Sequence, residues 1–222
     1  AVAVGELTLG LALALLRKVT ELDSSTRSGE WNRKAGVEIS GKTWGMLGFG
    51  ATARALAKLL KGFDATILAY DPFAKIDPEF AKDTKTTLVS LDDVISRSDV
   101  ISLHMPATPE TTKVINSERL SKMRSHAVIV NVGRGELIDE EALEEALKAK
   151  TILGAALDVR ESEPPKDSRF KDLPNVILTP HIAGITKESQ AKINEVLVSE
   201  VKSALTGGAP SFAVGAIKEF KK

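Results

Sequence analysis

Short apolar segments alternate with helical segments along most of this 222-residue chain, and this alternation limits the fold more than any other feature. Brief, continuously apolar runs are typical of strands that are buried on both faces, and a 3.6-residue apolar period is typical of helices. We predict strands at 43–47, 66–70, 100–103, 127–130, 153–159 and 176–178. We predict intervening helices at 52–60, 91–96, 139–150 and 189–205, and a helix before the first strand.

Strands that alternate with helices indicate an α/β fold, because a helical crossover is the usual way to join two parallel strands. We therefore predict a doubly wound, mostly parallel sheet with helices on both faces. Ser90 and Asp139 precede two of the predicted helices and are good N-caps, while Gly207 and Gly208 end the last one.

The first predicted strand runs into a glycine-rich turn with the pattern G-x-G-x-x-A, and a helix follows. Gly48 permits the tight turn, Gly50 leaves room for a pyrophosphate against the backbone, and Ala53 lets the helix pack closely on the strand. The free N–H groups at the helix start would face that pyrophosphate. The pattern predicts a dinucleotide-binding turn.

An acidic residue follows the second predicted strand at the spacing that this turn requires. Asp71 lies 21 residues beyond Gly50, where a carboxylate accepts hydrogen bonds from the adenosine ribose and repels a 2′-phosphate. An alternative is that Asp71 only begins a turn before Pro72. The order of strand, glycines, helix, strand and acid favours NAD as the cofactor over NADP.

Composition narrows the possible partners and the compartment. Lysine plus arginine equals aspartate plus glutamate, at 30 each, so we predict no nucleic-acid partner. The run of Leu, Ala, Gly and Thr at 7–16 is too short to span a bilayer, so we predict no membrane contact. The sequence has no cysteine, and its three histidines lack metal-ligand spacing, so we predict no metal site and a cytoplasmic location.

Four further segments sit at or just after predicted strand ends, where ligands of such sheets bind. Their motifs are L-H-M-P at 103–106, N-V-G-R-G at 131–135, D-V-R-E-S-E-P at 158–164 and T-P-H-I-A-G at 179–184. In this order, after that glycine turn, they closely resemble the D-isomer-specific 2-hydroxyacid dehydrogenase family. The resemblance covers nearly the whole chain and implies a Rossmann-type fold and a nicotinamide-dependent enzyme.

The resemblance also implies a catalytic trio, formed by Arg134, Glu163 and His181. A guanidinium suits the carboxylate and neighbouring carbonyl of a 2-oxo acid. An imidazolium can protonate the carbonyl oxygen as hydride arrives, and a carboxylate beside the ring orients it. The implied substrate is a small 2-hydroxy or 2-oxo acid.

The family pattern further implies contacts to NAD along the same sheet edge. These residues are Gly48, Gly50, Ala51 and Thr52 at the pyrophosphate turn, Asp71 at the ribose, His104, Met105 and Pro106 along the adenosine side, Val132, Gly133, Arg134 and Asp158 near the nicotinamide, His181 and Gly184 at its far end, and Thr111 at a phosphate. Two departures stand out. Ala51-Thr52 replaces a frequent basic–aliphatic pair, and Arg160 replaces a frequent aromatic residue and is expected to alter the edge of the site.

The same resemblance predicts the domain organisation. We expect residues 1–22 to form one long helix in a homodimer interface, 23–205 to form the NAD-binding domain, and 206–222 to return toward a second, substrate-binding domain that is largely missing from this chain. We therefore expect an isolated cofactor domain that is poorly active by itself.

Other functions remain open at this stage. The trio is also found in NAD-sensing corepressors of this fold, and a truncated pseudo-enzyme is a further alternative. Among enzymes, the segments 6–8 and 28–31 lean toward phosphoglycerate dehydrogenase-like relatives, with glyoxylate, glycerate and D-lactate enzymes as alternatives.

Overall fold

The computed structural model describes residues 1–167 and 169–208. Seven strands form one sheet, β1 Thr43–Leu47, β2 Thr66–Tyr70, β3 Thr86–Leu88, β4 Val100–Leu103, β5 Val128–Asn131, β6 Gly154–Leu157 and β7 Val176–Leu178. Eight α-helices accompany them within the described residues, α1 Val2–Leu16, α2 Val19–Arg27, α3 Ala51–Leu60, α4 Pro78–Thr84, α5 Leu91–Arg97, α6 Ser117–Lys122, α7 Glu140–Lys148 and α8 Lys187–Leu205.

All strand pairs are parallel, and the strand order is β3-β2-β1-β4-β5-β6-β7. The order reverses at β1, whose neighbours are β2 and β4, which opens a crevice at the carboxyl ends of these strands. Strands β4, β5 and β6 are buried throughout, because helices cover both faces of the sheet. The predicted doubly wound α/β fold is confirmed.

The register of the sheet aligns the ends of six strands. Tyr70, Leu47, Leu103, Asn131, Leu157 and Leu178 are successive partners across the sheet. Each candidate segment begins at a member of this row or one residue after it. The fold therefore brings segments that are far apart in sequence to a single edge.

The predicted long helix over residues 1–22 is wrong in its extent. Helix α1 ends at Leu16, Lys18 adopts a left-handed conformation with φ +55, and α2 starts at Val19. One face of α1 packs on α3 and on the sheet. The contact with α3 is close, because a Cβ on Gly5 would lie 3.0 Å from the Leu56 nitrogen. The helix is thus buried mainly by its own domain.

Four short elements were not predicted, namely α2, α4, β3 and α6. Each has three to nine residues, which is too few to show a clear apolar period. Helix α4 nevertheless carries a readable start signal, because Asp77 accepts hydrogen bonds from the N–H groups of Glu79 and Phe80, and Pro78 follows it.

The chain divides into two compact units, residues 1–183 and a second unit that starts at Gly184. In the second unit, Thr186 caps α8, and its hydroxyl accepts from the Ser189 N–H. The predicted return segment 206–222 lies outside the described residues from 209 onward. No helix in the described part of the chain is long and apolar enough to cross a membrane.

Candidate active site

The glycine turn after β1 has the geometry of a pyrophosphate cradle. Gly48 has φ +87, and a Cβ there would lie 2.8 Å from the Met105 nitrogen, so only glycine fits. Around Gly50, by contrast, a Cβ would meet no described atom within 4 Å beyond its own chain neighbours. Helix α3 begins at Ala51 without a side-chain cap from the described residues, which leaves its first N–H groups for an anion. These residues fit a dinucleotide.

Asp71 forms the turn considered for it and also contacts the glycine turn. Its Oδ1 accepts from the N–H groups of Phe73 and Ala74, which forms a turn after β2. Its Oδ2 accepts from the Phe49 N–H at 2.8 Å and so ties β2 to the glycine turn. A carboxylate has about four lone-pair sites, so it keeps capacity for a ribose hydroxyl.

Arg54 is a supporting residue that the sequence analysis missed. Its Nε donates to the Phe49 carbonyl at 3.2 Å, and an Nη donates to the Lys75 carbonyl at 2.7 Å. Its guanidinium also lies over the rings of Phe49 and Phe80, at 4.9 and 5.6 Å from their centroids. Arg54 therefore fastens the glycine turn to the segment after β2.

His104 lies behind the glycine turn in a hydrogen-bonded row. Its Nδ1 is 3.3 Å from the Thr52 hydroxyl, and its Nε2 is 2.9 Å from the buried Ser102 hydroxyl, which also accepts from Trp44 Nε1. Burial lowers the pKa of His104 to about 4, so the ring is neutral at pH 7. His104 therefore contacts the turn through the side chain of Thr52.

The neighbouring loop offers less to a cofactor than expected. Met105 is buried and Pro106 is exposed at the crevice. The Thr111 hydroxyl donates to the Pro106 carbonyl at 2.8 Å and accepts from the Thr108 N–H at 2.7 Å. Because its own loop occupies this hydroxyl, we do not include Thr111 among the proposed phosphate contacts.

The loop after β5 presents Arg134 to solvent. Val132 and Gly133 are buried, while Arg134 is exposed and its Nη1 donates to the Gly133 carbonyl at 2.7 Å. The Asn131 side chain holds the loop, since its amide donates to the Arg134 carbonyl and its oxygen accepts from the Gly133 N–H. The guanidinium is thus available at the carboxyl edge of the sheet.

Glu163 and His181, which follow the adjacent strands β6 and β7, meet directly. His181 Nδ1 lies 2.7 Å from Glu163 Oε2, and both side chains are partly exposed. Partial burial alone would raise the pKa of Glu163, but hydrogen bonds from His181 and the Arg160 N–H outweigh it and hold this pKa below its usual value. The predicted carboxylate–imidazole pair is present as a formed contact.

Asp158 is the internal support of the His181 loop. Its buried carboxylate accepts from the Thr179 hydroxyl and from the N–H groups of Ile182 and Ala183, at 2.5 to 2.9 Å. Its carbonyl also accepts from the His181 N–H at 2.7 Å. These bonds hold His181 at φ +55, a conformation that is unusual for a non-glycine residue.

A cavity of about 440 Å³ lies beside the pair and is lined mainly by Leu157, Glu163, Pro164, Leu178 and His181. Arg160 also borders it, but its side chain turns away and is buried against Glu140, a contact that the sequence analysis did not predict. Gly184 belongs to the second unit, where its carbonyl accepts from the Ser189 hydroxyl.

Comparisons with known proteins agree with this geometry. The family model described as "D-isomer specific 2-hydroxyacid dehydrogenase, NAD binding domain" matches residues 9–183. The D-3-phosphoglycerate dehydrogenase of Methanocaldococcus jannaschii is 42% identical over 93% of this chain and 40% of its own length. The glyoxylate reductase of Thermofilum pendens is 40% identical over 94% of this chain and 63% of its own.

A solved structure of D-lactate dehydrogenase with NAD+ from Lactobacillus jensenii superposes with a TM-score of 0.86. It is 30% identical and covers 96% of this chain and 68% of that one. This chain therefore spans about two fifths of the phosphoglycerate dehydrogenase and about two thirds of the two shorter relatives. The match, the sheet order and the site together place the chain in the D-isomer specific 2-hydroxyacid dehydrogenase family, as its NAD-binding domain.

Proposed function

We propose that this chain supplies the cofactor site and the catalytic side chains of an NAD-dependent oxidoreductase that interconverts a 2-hydroxy acid and a 2-oxo acid. The observation that carries the proposal is the 2.7 Å contact between His181 Nδ1 and Glu163 Oε2. It stands on the sheet edge that also carries the glycine turn. An oriented imidazole beside a dinucleotide site is what reversible ketone reduction requires.

Each residue of the trio has a distinct task in this proposal. When bound, the nicotinamide supplies or accepts the hydride. Glu163 holds Nδ1 of His181, which leaves Nε2 to give a proton to the substrate oxygen or to take it back. The exposed guanidinium of Arg134 binds the substrate carboxylate and polarises the neighbouring carbonyl.

The names of the relatives give the range of candidate substrates. They include D-3-phosphoglycerate dehydrogenase, glyoxylate reductase, glycerate dehydrogenase and D-lactate dehydrogenase. Phosphoglycerate dehydrogenases from an archaeon, a plant, a cyanobacterium and a mycobacterium are all 39–42% identical to this chain. This spread favours a phosphoglycerate-type acid, with glycerate, glyoxylate and D-lactate types as the alternatives.

The NAD-sensing corepressor alternative is not favoured. The relatives named for an activity are metabolic dehydrogenases and reductases. Cytoplasmic location remains a prediction, since one relative, from Arabidopsis thaliana, is named chloroplastic.

We also propose that the protein forms a homodimer through the surface of α1 and α2. An open groove of about 820 Å³ runs between these helices, and its apolar lining includes Leu13, Ala14, Val19 and Leu22. Val19 is half exposed despite its apolar side chain. Sedimentation equilibrium should give a dimer for the 222-residue chain and a monomer for Leu13→Asp; two monomers would contradict this proposal.

The activity is tested in two steps. The 222-residue chain should bind NADH more tightly than NADPH in a fluorescence titration. The complete gene product should oxidise NADH with one of four acids, namely phosphohydroxypyruvate, hydroxypyruvate, glyoxylate or pyruvate. His181→Asn should lower turnover by about 10²- to 10⁴-fold and leave NADH affinity nearly unchanged. Cofactor binding without turnover on any acid would instead support the sensor.

A further inference from the structure

A buried ion pair lies directly behind the Glu163 loop. Arg160 Nε and an Nη donate to the two oxygens of Glu140, both at 2.8 Å, and each side chain is only 9% exposed. The guanidinium also lies 4.9 Å from the centroid of Phe170 and 3.4 Å from an Asp167 oxygen. Such a bidentate, stacked arrangement is a rigid one, because it fixes the plane of the guanidinium as well as its position.

Glu140 is itself well placed to hold this arginine. It is the first residue of α7, where the helix dipole favours a carboxylate. Its Oε1 also accepts from the Glu161 N–H at 2.9 Å. The hydrogen bonds between Glu140 and Arg160 raise the pKa of Arg160 above its usual value, and the burial of the guanidinium opposes this in part. One carboxylate therefore binds the side chain of Arg160 and the main chain of the next residue.

The backbone of Arg160 connects this pair to the catalytic side chains. Its N–H donates to Glu163 Oε1 at 3.0 Å, while Glu163 Oε2 holds His181. On its other side, a Cβ on Gly135 would lie 1.9 Å from the Arg160 carbonyl carbon, so the loop of Arg134 packs against the peptide that joins Arg160 to the next residue. Residue 160 is thus the point where the segments of all three catalytic residues meet.

We propose that Arg160 and Glu140 form a clamp that positions the Glu163 carboxylate for its contact with His181. Both are positioning residues, since neither side chain faces the proposed substrate. The inference rests on the proposed function for its catalytic consequence. Its structural part, the orientation of Glu163, stands apart from any turnover.

A pair that only stabilises the fold would behave differently from a clamp. Replacing a buried ion pair by two apolar residues commonly keeps or improves stability. Here the same replacement would also remove the acceptor of the Glu161 N–H and the ion pair that holds residue 160 in place. The double variant Arg160→Leu/Glu140→Leu therefore separates the two roles, and Glu140→Gln is the mildest change to the same pair.

Turnover gives the first test, on the complete gene product. In Arg160→Leu, Glu140→Gln and the double variant, kcat should fall by about 10- to 100-fold while KM for NADH stays within about twofold, because only the chemical step depends on Glu163 orientation. The matched control is Arg124→Leu, which removes the pair with Asp99 at the opposite edge of the sheet and should leave kcat unchanged. A double variant that folds and retains wild-type kcat would overturn the clamp.

The second test needs no activity. Carbon-13 NMR of the 222-residue chain follows the titration of the Glu163 carboxyl, assigned by its loss in Glu163→Gln. The clamp predicts that the midpoint moves to higher pH in all three pair variants and stays in place in Arg124→Leu. An unchanged midpoint would overturn the clamp, whereas a shifted midpoint with no turnover in the wild type would count only against the proposed function.

Discussion

The glycine turn occupies the same sheet edge as the loops at 131–135, 158–164 and 179–184, which carry the proposed catalytic residues and are called the catalytic loops below. The chain builds the turn and these loops in different ways. At the turn, backbone conformation and small residues decide the shape, as at Gly48 with φ +87 and at Gly50 with open space around it. At the catalytic loops, hydrogen bonds of charged side chains hold the backbone in place. Asp158, with three donors, and Arg160, bound to Glu140, hold segments without regular secondary structure.

The difference follows from what each region binds. A pyrophosphate is recognised by N–H groups at a helix start, so the protein needs close backbone approach and few side chains. Proton transfer requires an imidazole in one orientation, and loops hold that orientation only through specific hydrogen bonds. The first region should therefore be sensitive to added atoms, and the second to removed polar groups.

The largest expected effect is the difference in stability between two glycine substitutions in the turn. Gly48→Ala places a methyl group 2.8 Å from the Met105 nitrogen at a positive φ, and should cost about 3–5 kcal/mol of unfolding free energy. Gly50→Ala meets open space at φ −81, so its stability should be nearly unchanged. Urea unfolding of the two variants measures this contrast.

In cofactor binding, Gly50→Ala should be the more informative of these two variants. Gly50→Ala keeps its fold but directs a methyl group into the space for the pyrophosphate, so NADH affinity should drop sharply in a fluorescence titration. If Gly50→Ala binds NADH as the wild type does, the cradle lies elsewhere and the comparison between the two regions fails.

The next largest effect on stability is expected in the catalytic loops. Asp158→Ala leaves one hydroxyl and two N–H donors without their acceptor and should cost on the order of 3 kcal/mol. Thr179→Val is the matched control, because it removes only one of these donors and should cost about 1 kcal/mol. Equal unfolding free energies for the two variants would show that Asp158 does not organise this loop.

The same contrast explains how much could be read from the sequence. The turn was predictable because glycine spacing, strand and helix all lie within a short segment. The Glu163–His181 contact was expected only through the resemblance, since 18 residues separate the partners. The pair of Arg160 and Glu140 joins residues 20 apart in sequence, and no spacing rule indicates it.

Prediction of individual elements failed where local signals were weak. The β-strands with four or more residues were found because continuous burial leaves an apolar run. Strand β3 has three residues, two of them exposed, and so has no such run. The break at Lys18 was missed because apolar composition continues to Leu16, and nothing in the next residues marks a left-handed turn.

A pH measurement tests the half-buried His104 in the hydrogen-bonded row behind the glycine turn. His104 titrates at about 4 when folded and near 6.5 when unfolded, so the unfolded chain binds the extra proton between these values. Its contribution to stability is therefore complete above pH 6.5 and is lost as pH falls toward 4. From pH 7.5 to 4.5, the wild type should lose about 2–3 kcal/mol more than His104→Gln in urea unfolding. Parallel losses would show that the folded protein does not lower the pKa of His104.

The smallest expected effect is on cofactor affinity. It tests the role of a charged side chain, as distinct from backbone geometry, in the cofactor region. Asp71→Ala removes the carboxylate that accepts from the Phe49 N–H and that we propose to bind the ribose, and should weaken NADH binding by about ten- to a hundredfold. NADPH affinity should change much less, because the lost charge also repelled the 2′-phosphate.

Asp77→Ala is the matched control for Asp71→Ala. Asp77 also follows β2 and also accepts two neighbouring N–H bonds, but it caps α4 and does not contact the glycine turn. Its removal should cost about 1 kcal/mol of stability and leave both cofactor affinities unchanged. Calorimetric titration of the 222-residue chain with NADH and NADPH distinguishes the variants. If the wild type binds both cofactors equally, or if Asp77→Ala weakens NADH as much as Asp71→Ala does, then the carboxylate after β2 acts only on the fold. Cofactor preference would in that case have to come from other side chains along the edge.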